Sequence, residues 1–161
     1  MQENVRPLKR VRDSRTEQIQ IVLSGDINGT GRLFGGKLME WIDVVAAVTA
    51  RRHSGHSVTT ASIDNLQFKA AAHRDNTMVL IGRITFVGKT SMEVKVDTFV
   101  ESLDGTRNLV NEAYVVLVAL DENERPVPVP GLLLETPEEE REWEAGVRRY
   151  ELRRQRRLEQ F

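Results

Sequence analysis

One stretch constrains this chain more than any other, residues 24–53, SGDINGTGRLFGGKLMEWIDVVAAVTARRH. It reads as a glycine-rich turn feeding a long helix from Gly36 to about Arg52. Leu38, Met39, Trp41, Ile42, Val44, Val45, Ala46, Ala47, Val48 and Ala50 fall on nearly every side of that helix. Such a pattern predicts a buried helix rather than a surface helix with one apolar stripe. Lys37, Glu40 and Asp43 interrupt it too often for a membrane span. Asp43 stands out. A carboxylate midway along a helix with no polar face costs free energy unless it is paired or put to use.

The segments around the helix supply a sheet. Residues 1–16 are polar and expected as a loose arm, and 17–23 (EQIQIVL) alternates as a short strand. Gly55 ends the helix, and four strand-like runs follow at Ser57–Phe68, Thr77–Val87, 90–101 and Arg107–Leu120. In the third, Met92, Val94, Val96, Thr98 and Val100 share one face, with Glu93, Lys95 and Asp97 on the other. Gly88-Lys89 makes a tight hairpin between the second and third runs, and Asp104-Gly105 marks the next turn. Pro126, Pro128 and Pro130 stop the sheet. A final helix starts at Thr136, with Pro137 in its first position and Glu139 as capping-box partner. The class is α+β. One long helix is wrapped by a curved antiparallel sheet, as in a hot-dog fold. That sheet covers the helix on one side only, so the other side and the sheet edge call for a second copy. The organisation expected is an arm at 1–16, one domain at 17–135 and a terminal helix at 136–161.

Composition excludes more than it assigns. A chain of 161 residues suits one domain with a real core. The net charge of -1 gives no pull toward nucleic acid or anionic lipid. Without cysteine there are no disulfides, no thiolate catalysis and no cysteine-bound metal. The basic N-terminus lacks the apolar core of a secretory signal, so a cytoplasmic protein is the expectation.

The glycine-rich turn invites three further readings, and each fails. Asp26-x-Asn28-x-Thr30 resembles the start of a calcium loop, but its twelfth position is Lys37 rather than glutamate. Gly29-x-Gly31 with Gly35 misses the dinucleotide spacing by one and has no βαβ unit around it. Asn28-Gly29-Thr30 is a glycosylation sequon without a secretory context. His53, His56 and His73 show no metal-ligand spacing and are expected in surface or capping roles, so no metal is assigned. Arg148, Arg149, Arg153, Arg154, Arg156 and Arg157 alternate with Glu144, Glu151 and Glu159, which reads as a solvated helix rather than an RNA surface, with a few of the arginines open to a phosphate ligand or a neighbouring subunit.

The segments DINGTGRLFGGKLMEWIDVVAAVTARRH, VTTASIDNLQF, GKTSMEVKV and VALDENERPVPVPGLLLETPEEE together resemble the hot-dog acyl-CoA thioesterases. The group includes the cytosolic acyl-CoA hydrolases and the bacterial YciA-like enzymes. One departure is Phe34, where some relatives carry histidine. The resemblance implies hydrolysis of fatty acyl-CoA to free acid and CoA at a dimer interface, with CoA as part of the substrate and no separate cofactor. It matches Asn28 of one subunit and Asp43 of the other to the catalytic pair. Asp43 would be the base that activates water, or a nucleophile on the thioester carbonyl; Asn28 would hold water or substrate. Backbone N–H groups near Gly35 and Gly36 would polarise the carbonyl. Thr60 matches a polar position near the thioester, and Gly88, Lys89, Thr90 and Ser91 match a hairpin that holds the pantetheine and phosphates of CoA.

The residues alone leave other readings open. Asp43 could pair with an arginine across a dimer, Thr60 could be a strand threonine, and the hairpin tip could be ordinary. Trp41 and Val45 are expected on the floor of the acyl tunnel. The resemblance also implies a trimer of dimers. The alternative to a hydrolase is a non-catalytic acyl-CoA-binding sensor, which would need an output domain that 1–16 is too short to provide. A hydratase would need a histidine on the helix before His53.

Overall fold

The computed structural model describes residues 5–161. In chain order these form β1 (Leu8–Arg10), α1 (Val11–Ser14), β2 (Thr16–Ile21), α2 (Gly35–Ser54) and β3 (Ser57–Phe68). There follow β4 (Thr77–Val87), β5 (Ser91–Glu101), β6 (Arg107–Leu120), β7 (Gly131–Leu133) and α3 (Pro137–Glu159). Five strands make one antiparallel sheet in the order β2-β4-β5-β6-β3, which leaves β2 and β3 as its edges.

The period of two in β5 decides which helix lies on which face. Met92, Val94 and Val96 join the core with Ile42, Val45 and Ala46 of α2, while Glu93, Lys95 and Asp97 point to the face that α3 covers. Ile42, Met78, Leu80, Ile84, Met92 and Leu117 are fully buried, each worth about 1.5–3 kcal/mol of transfer free energy. Close approach of α2 to the sheet depends on Gly82 of β4. A Cβ there would lie 2.6 Å from Thr49 Oγ1 and 2.8 Å from Val45 Cγ1. On the opposite face, a Cβ at Gly146 of α3 would meet Phe86 Cβ at 2.7 Å.

In the single chain α2 is buried on one side only. Leu38, Trp41, Ile42, Val45, Ala46 and Ala50 face the sheet, whereas Met39 and Val44 are 39% and 48% exposed. The all-round apolar pattern therefore describes two faces with different partners, and the chain itself supplies one.

Three expectations need correction. The arm is not loose over its described part. Leu8–Arg10 pairs in parallel with Gly131–Leu133, and Arg6 donates from Nε to the Val129 carbonyl at 2.8 Å. Residues 1–4 of the arm lie outside the described residues. The prolines accordingly end the main sheet without ending strand structure, because β7 resumes just beyond Pro130. Second, the capping at the start of α3 is shifted. Thr136 Oγ1 accepts from the Glu139 N–H at 3.1 Å as expected, but the Glu139 carboxylate accepts from the Glu135 N–H, one residue before the cap. Third, α3 is not simply solvated. Arg149 Nη2 and Arg153 Nη1 meet the buried carboxylate of Glu93 at 2.8 and 2.9 Å, and Trp143 and Tyr150 pack on Phe86.

Candidate active site

Asn28 is held by the turn it begins. Ile27 and Leu33 bridge in antiparallel fashion, and Gly31 closes the turn with φ of 77°, the left-handed region that glycine adopts freely. Asn28 Oδ1 accepts from Thr30 N–H at 3.0 Å, Thr30 Oγ1 at 2.7 Å and Arg32 N–H at 3.2 Å. The carbonyl end of the side chain is thus spent on the turn. Among the described residues no protein acceptor takes the Nδ2 donors, which leaves them for a ligand.

The turn delivers the chain to the start of α2. The Phe34 N–H donates to the Asp26 carbonyl at 2.8 Å, and the Phe34 carbonyl accepts from Lys37 and Leu38. Phe34 gives no side-chain cap. The N–H groups of Gly35 and Gly36, next in line, have no backbone acceptor among the described residues. Free N–H groups at the positive end of a 20-residue helix are suited to a carbonyl oxygen gaining negative charge.

Asp43 lies two turns further along α2 and is half-buried. Its Oδ1 accepts a short hydrogen bond, 2.6 Å, from Thr60 Oγ1 on β3. The register of β3 on β6 slips between Thr60 and Ser62. This bulge sits beside the threonine that fixes the carboxylate, as bulges commonly do where a side chain must be aimed. Among the described residues Oδ2 has no hydrogen-bond partner. Among the described residues Asp43 forms no ion pair within the chain, and the arginine partner left open by the sequence is one across a dimer.

Within one chain these groups fall into two separate clusters rather than one. Asn28 and Gly35 line a common cavity of about 410 Å³ together with Leu38, Phe68, Met78 and Val110, and neither Asp43 nor Thr60 reaches it. Gly36 and Asp43 are seven residues apart on one helix stripe, roughly 10 Å along the axis at about 1.5 Å per residue. No single carbonyl can touch both. Trp41 and Val45, expected on the floor of a tunnel built by two subunits, are buried in the core of the single chain and do not line this cavity.

The hairpin between β4 and β5 is tied on every side. Gly88 N–H donates to the Ser91 carbonyl at 2.9 Å, Ala119 N–H to Thr90 at 3.0 Å and Val129 N–H to Lys89 at 2.9 Å, while Arg6 Nη2 donates to the Gly88 carbonyl. Thr90 and Ser91 open onto a groove of about 460 Å³ beside α3; Gly88 and Lys89 do not line it. Arg156 and Arg157, which the sequence reads as part of a solvated helix with a few of its arginines open to CoA phosphates or a neighbouring subunit, do line it. Their spacing with Tyr150 and Arg153, which puts all four on one helix face, is the signal that could have found them. His53 also departs from expectation: it is fully buried, with Nε2 on the Pro130 carbonyl at 2.8 Å.

A long helix cradled by an open antiparallel sheet is the hot-dog architecture, and a carboxylate on the helix with unpaired N–H groups at its start is compatible with thioester hydrolysis. The thioesterase superfamily pattern matches residues 30–104. The chain is 39% identical to the uncharacterized acyl-CoA thioester hydrolase YkhA of Bacillus subtilis, over 80% of this chain and 75% of that protein. It superposes on a crystal structure of an apo-hexameric acyl-CoA thioesterase with TM-score 0.89 and 41% identity, covering 93% of this chain and 97% of that one. For the Staphylococcus aureus acyl-CoA hydrolase in complex with butyryl coenzyme A and coenzyme A, the TM-score is 0.91 at 32% identity, over 96% and 94% of the two chains. That hydrolase has also been solved with an asparagine, an aspartate or a threonine replaced by alanine. The chain spans only 37% of the cytosolic acyl coenzyme A thioester hydrolase of Rattus norvegicus, at 32% identity. The chain belongs to the thioesterase superfamily and is a hydrolase.

Proposed function

We propose that this protein hydrolyses fatty acyl-CoA to the free fatty acid and CoA, at a site that two protomers complete. The observation that carries the reading is the division into half-sites. Asn28 and the free N–H groups of Gly35 and Gly36 sit at one end of α2, and Asp43 with Thr60 sits two turns away. A second copy, packed on the exposed side of α2 where Met39 and Val44 lie, can bring one half to the other. Relatives named as acyl-CoA hydrolases, one of them hexameric, support both the substrate and the assembly. We read the oligomer as a dimer repeated into a trimer of dimers. The cytosolic relatives support a cytoplasmic location.

In this mechanism the thioester carbonyl oxygen lies on the Gly35 and Gly36 N–H groups. Asp43, held by Thr60, takes a proton from a water that Asn28 Nδ2 of the other protomer orients. The hydroxide attacks the carbonyl carbon, and collapse of the tetrahedral intermediate expels the CoA thiolate. A thiolate leaves easily, so no strong acid is required. A positioned base is typically worth 10²–10⁴-fold, so Asp43→Ala is expected to lower kcat by about that factor.

The test is steady-state thiol release from acyl-CoAs running from acetyl to palmitoyl, with folded, oligomer-checked Asp43→Ala and Asn28→Ala beside wild type. Turnover that collapses in both variants is the expected result. Tight acyl-CoA binding with no turnover of any chain length by wild type would overturn the hydrolase mechanism in favour of a binding module.

A further inference from the structure

The terminal helix crosses the sheet toward one of its edges. Trp143 packs on Phe86 of β4 at 4.8 Å between ring centroids. Arg149 meets Glu93 of β5 at 2.8 Å and lies 3.7 Å over the Tyr114 ring of β6. Arg153 and Arg156 then reach Asp64 of β3 at 3.2 and 3.7 Å. That is the order of the sheet, β4-β5-β6-β3, and β3 is its last strand. The helix also lifts as it goes. It lies so close to β4 that a Cβ at Gly146 would meet Phe86 Cβ at 2.7 Å. Its last turns instead leave a groove of about 460 Å³ over β6 and β3, which Phe161 helps to line.

The end of α3 is fixed and apolar, yet its own chain does not cover it. Gln160 stops the helix at φ of 59°, and the Phe161 N–H donates to the Arg156 carbonyl at 3.0 Å. Leu158 and Phe161 are still 78% and 93% exposed. Glu151, Arg154 and Leu158 recur at i, i+3 and i+7, so they share one stripe, and all three are exposed. Among the described residues, Arg154, Arg157, Glu151 and Glu159 form no ion pair, unlike Arg149, Arg153 and Arg156. The segment thus carries both signs around an apolar centre. A two-fold contact needs that composition, because each copy meets its own surface. Set antiparallel, the arginines of one end can face the acids of the other.

A second copy belongs at this edge. Thr60 of β3 holds Asp43, and the Asn28 that completes the site comes from the other protomer. That protomer must border β3, whose outer edge has no strand partner. Beyond Arg156, a rise of about 1.5 Å per residue carries the last turn further toward that border. We propose that the last turn of α3 is a dimer clasp, in which Leu158 and Phe161 pack against the same segment of a second copy across the β3 border. The proposal rests on the two-protomer reading of the active site.

The test is the dimer–monomer equilibrium, followed by sedimentation over a dilution series for wild type and for Leu158→Ala/Phe161→Ala. Both side chains are exposed in the single chain, so the variant should keep the monomer fold, which far-UV circular dichroism checks. Its dimer should dissociate about tenfold or more readily. A dimer as tight as that of wild type overturns the proposal. So does loss of larger assemblies with the dimer intact, which would place this contact between dimers. The chain has no cysteine, so Gln160→Cys adds a single thiol to an otherwise unaltered protein. At dilutions where only the dimer persists, a flexible bismaleimide should join Gln160→Cys into covalent dimers. It should not join Glu140→Cys, at the other end of α3. Equal yields from the two, or none from Gln160→Cys, overturn the clasp even if the alanine variant does not fold. A wild type that sediments only as a monomer takes the shared active site down with the clasp. A dimeric wild type with an unaltered alanine variant removes the clasp alone.

Discussion

His53 closes the core at the end of α2, 77 residues in sequence from the carbonyl it serves. Nε2 donates to Pro130, which leaves Nδ1 buried without a partner among the described residues. Burial pushes the imidazole below its ordinary value of 6.5, the positive charges of Lys9 and Arg6 push the same way, and the Pro130 hydrogen bond and Asp13 oppose them. In the window just below 6.5 the unfolded chain takes up a proton that the folded ring refuses. The neutral ring's contribution is therefore complete above the unfolded value and is lost as pH falls through the lower folded value. His53→Gln keeps a donor for Pro130 and removes the titration. Between about pH 7 and 5 the Tm of wild type should fall more steeply than that of the variant; parallel slopes would contradict the assignment. Nothing local in the sequence marks His53 as buried, because its partner comes from a distant strand end. Asp43 was legible for the opposite reason: a carboxylate among Trp41, Ile42, Val44 and Val45 needs an explanation wherever the chain goes. Its partner was not legible from spacing, since a strand threonine is ordinary until a bulge aims it.

The elements followed the sequence closely where local pattern decides them. Alternation located β3 to β6, and Gly55 ends α2 in the left-handed conformation, with its N–H on the Arg51 carbonyl. What escaped the sequence was long-range pairing. The strand β1 exists because β7 lies beside it, and neither three-residue run would persist alone. The same applies to α3, whose arginines looked solvent-facing because Glu93 lies 56 residues before Arg149 and 60 before Arg153. The buried Glu93 accepts from Thr85 Oγ1 at 2.7 Å and meets Arg149 and Arg153, so it is the point at which α3 is fastened to the sheet. Below it a second set of charges does similar work. Burial alone would lower the Lys95 ammonium, but the hydrogen bond to Glu142 and the charges of Asp97 and Glu142 reverse this and hold it well above its ordinary value. Removing one partner from a buried ion pair typically costs about 3–5 kcal/mol. Glu93→Gln should therefore lower stability by about 3 kcal/mol in urea unfolding. It should also red-shift Trp143, which packs 4.8 Å from Phe86 on this face. A variant with wild-type stability and unshifted emission would show that α3 is held by its apolar contacts alone.

At the scale of the whole molecule, the single chain presents surfaces that do not belong in water. Phe34, Met39, Val44 and Phe68 are exposed around the two half-sites, and β3, which carries Thr60, is an edge strand with unpaired backbone. Composition foretold this only in part, because an apolar helix can be covered by its own chain or by another. The count of one helix and one sheet argued for another. The central claim is that Asn28 and Asp43 act across the interface, and co-expression of two inactive variants tests it most directly. Asn28→Ala and Asp43→Ala, differently tagged, would be produced together and the mixed oligomers assayed for thiol release. If the site is shared, each heterodimer pairs both defects in one site and leaves the other intact. Random pairing in a two-fold assembly then returns about a quarter of wild-type activity. If both residues act within one protomer, every site carries one defect, and activity in the mixture no higher than in either variant alone would contradict the account.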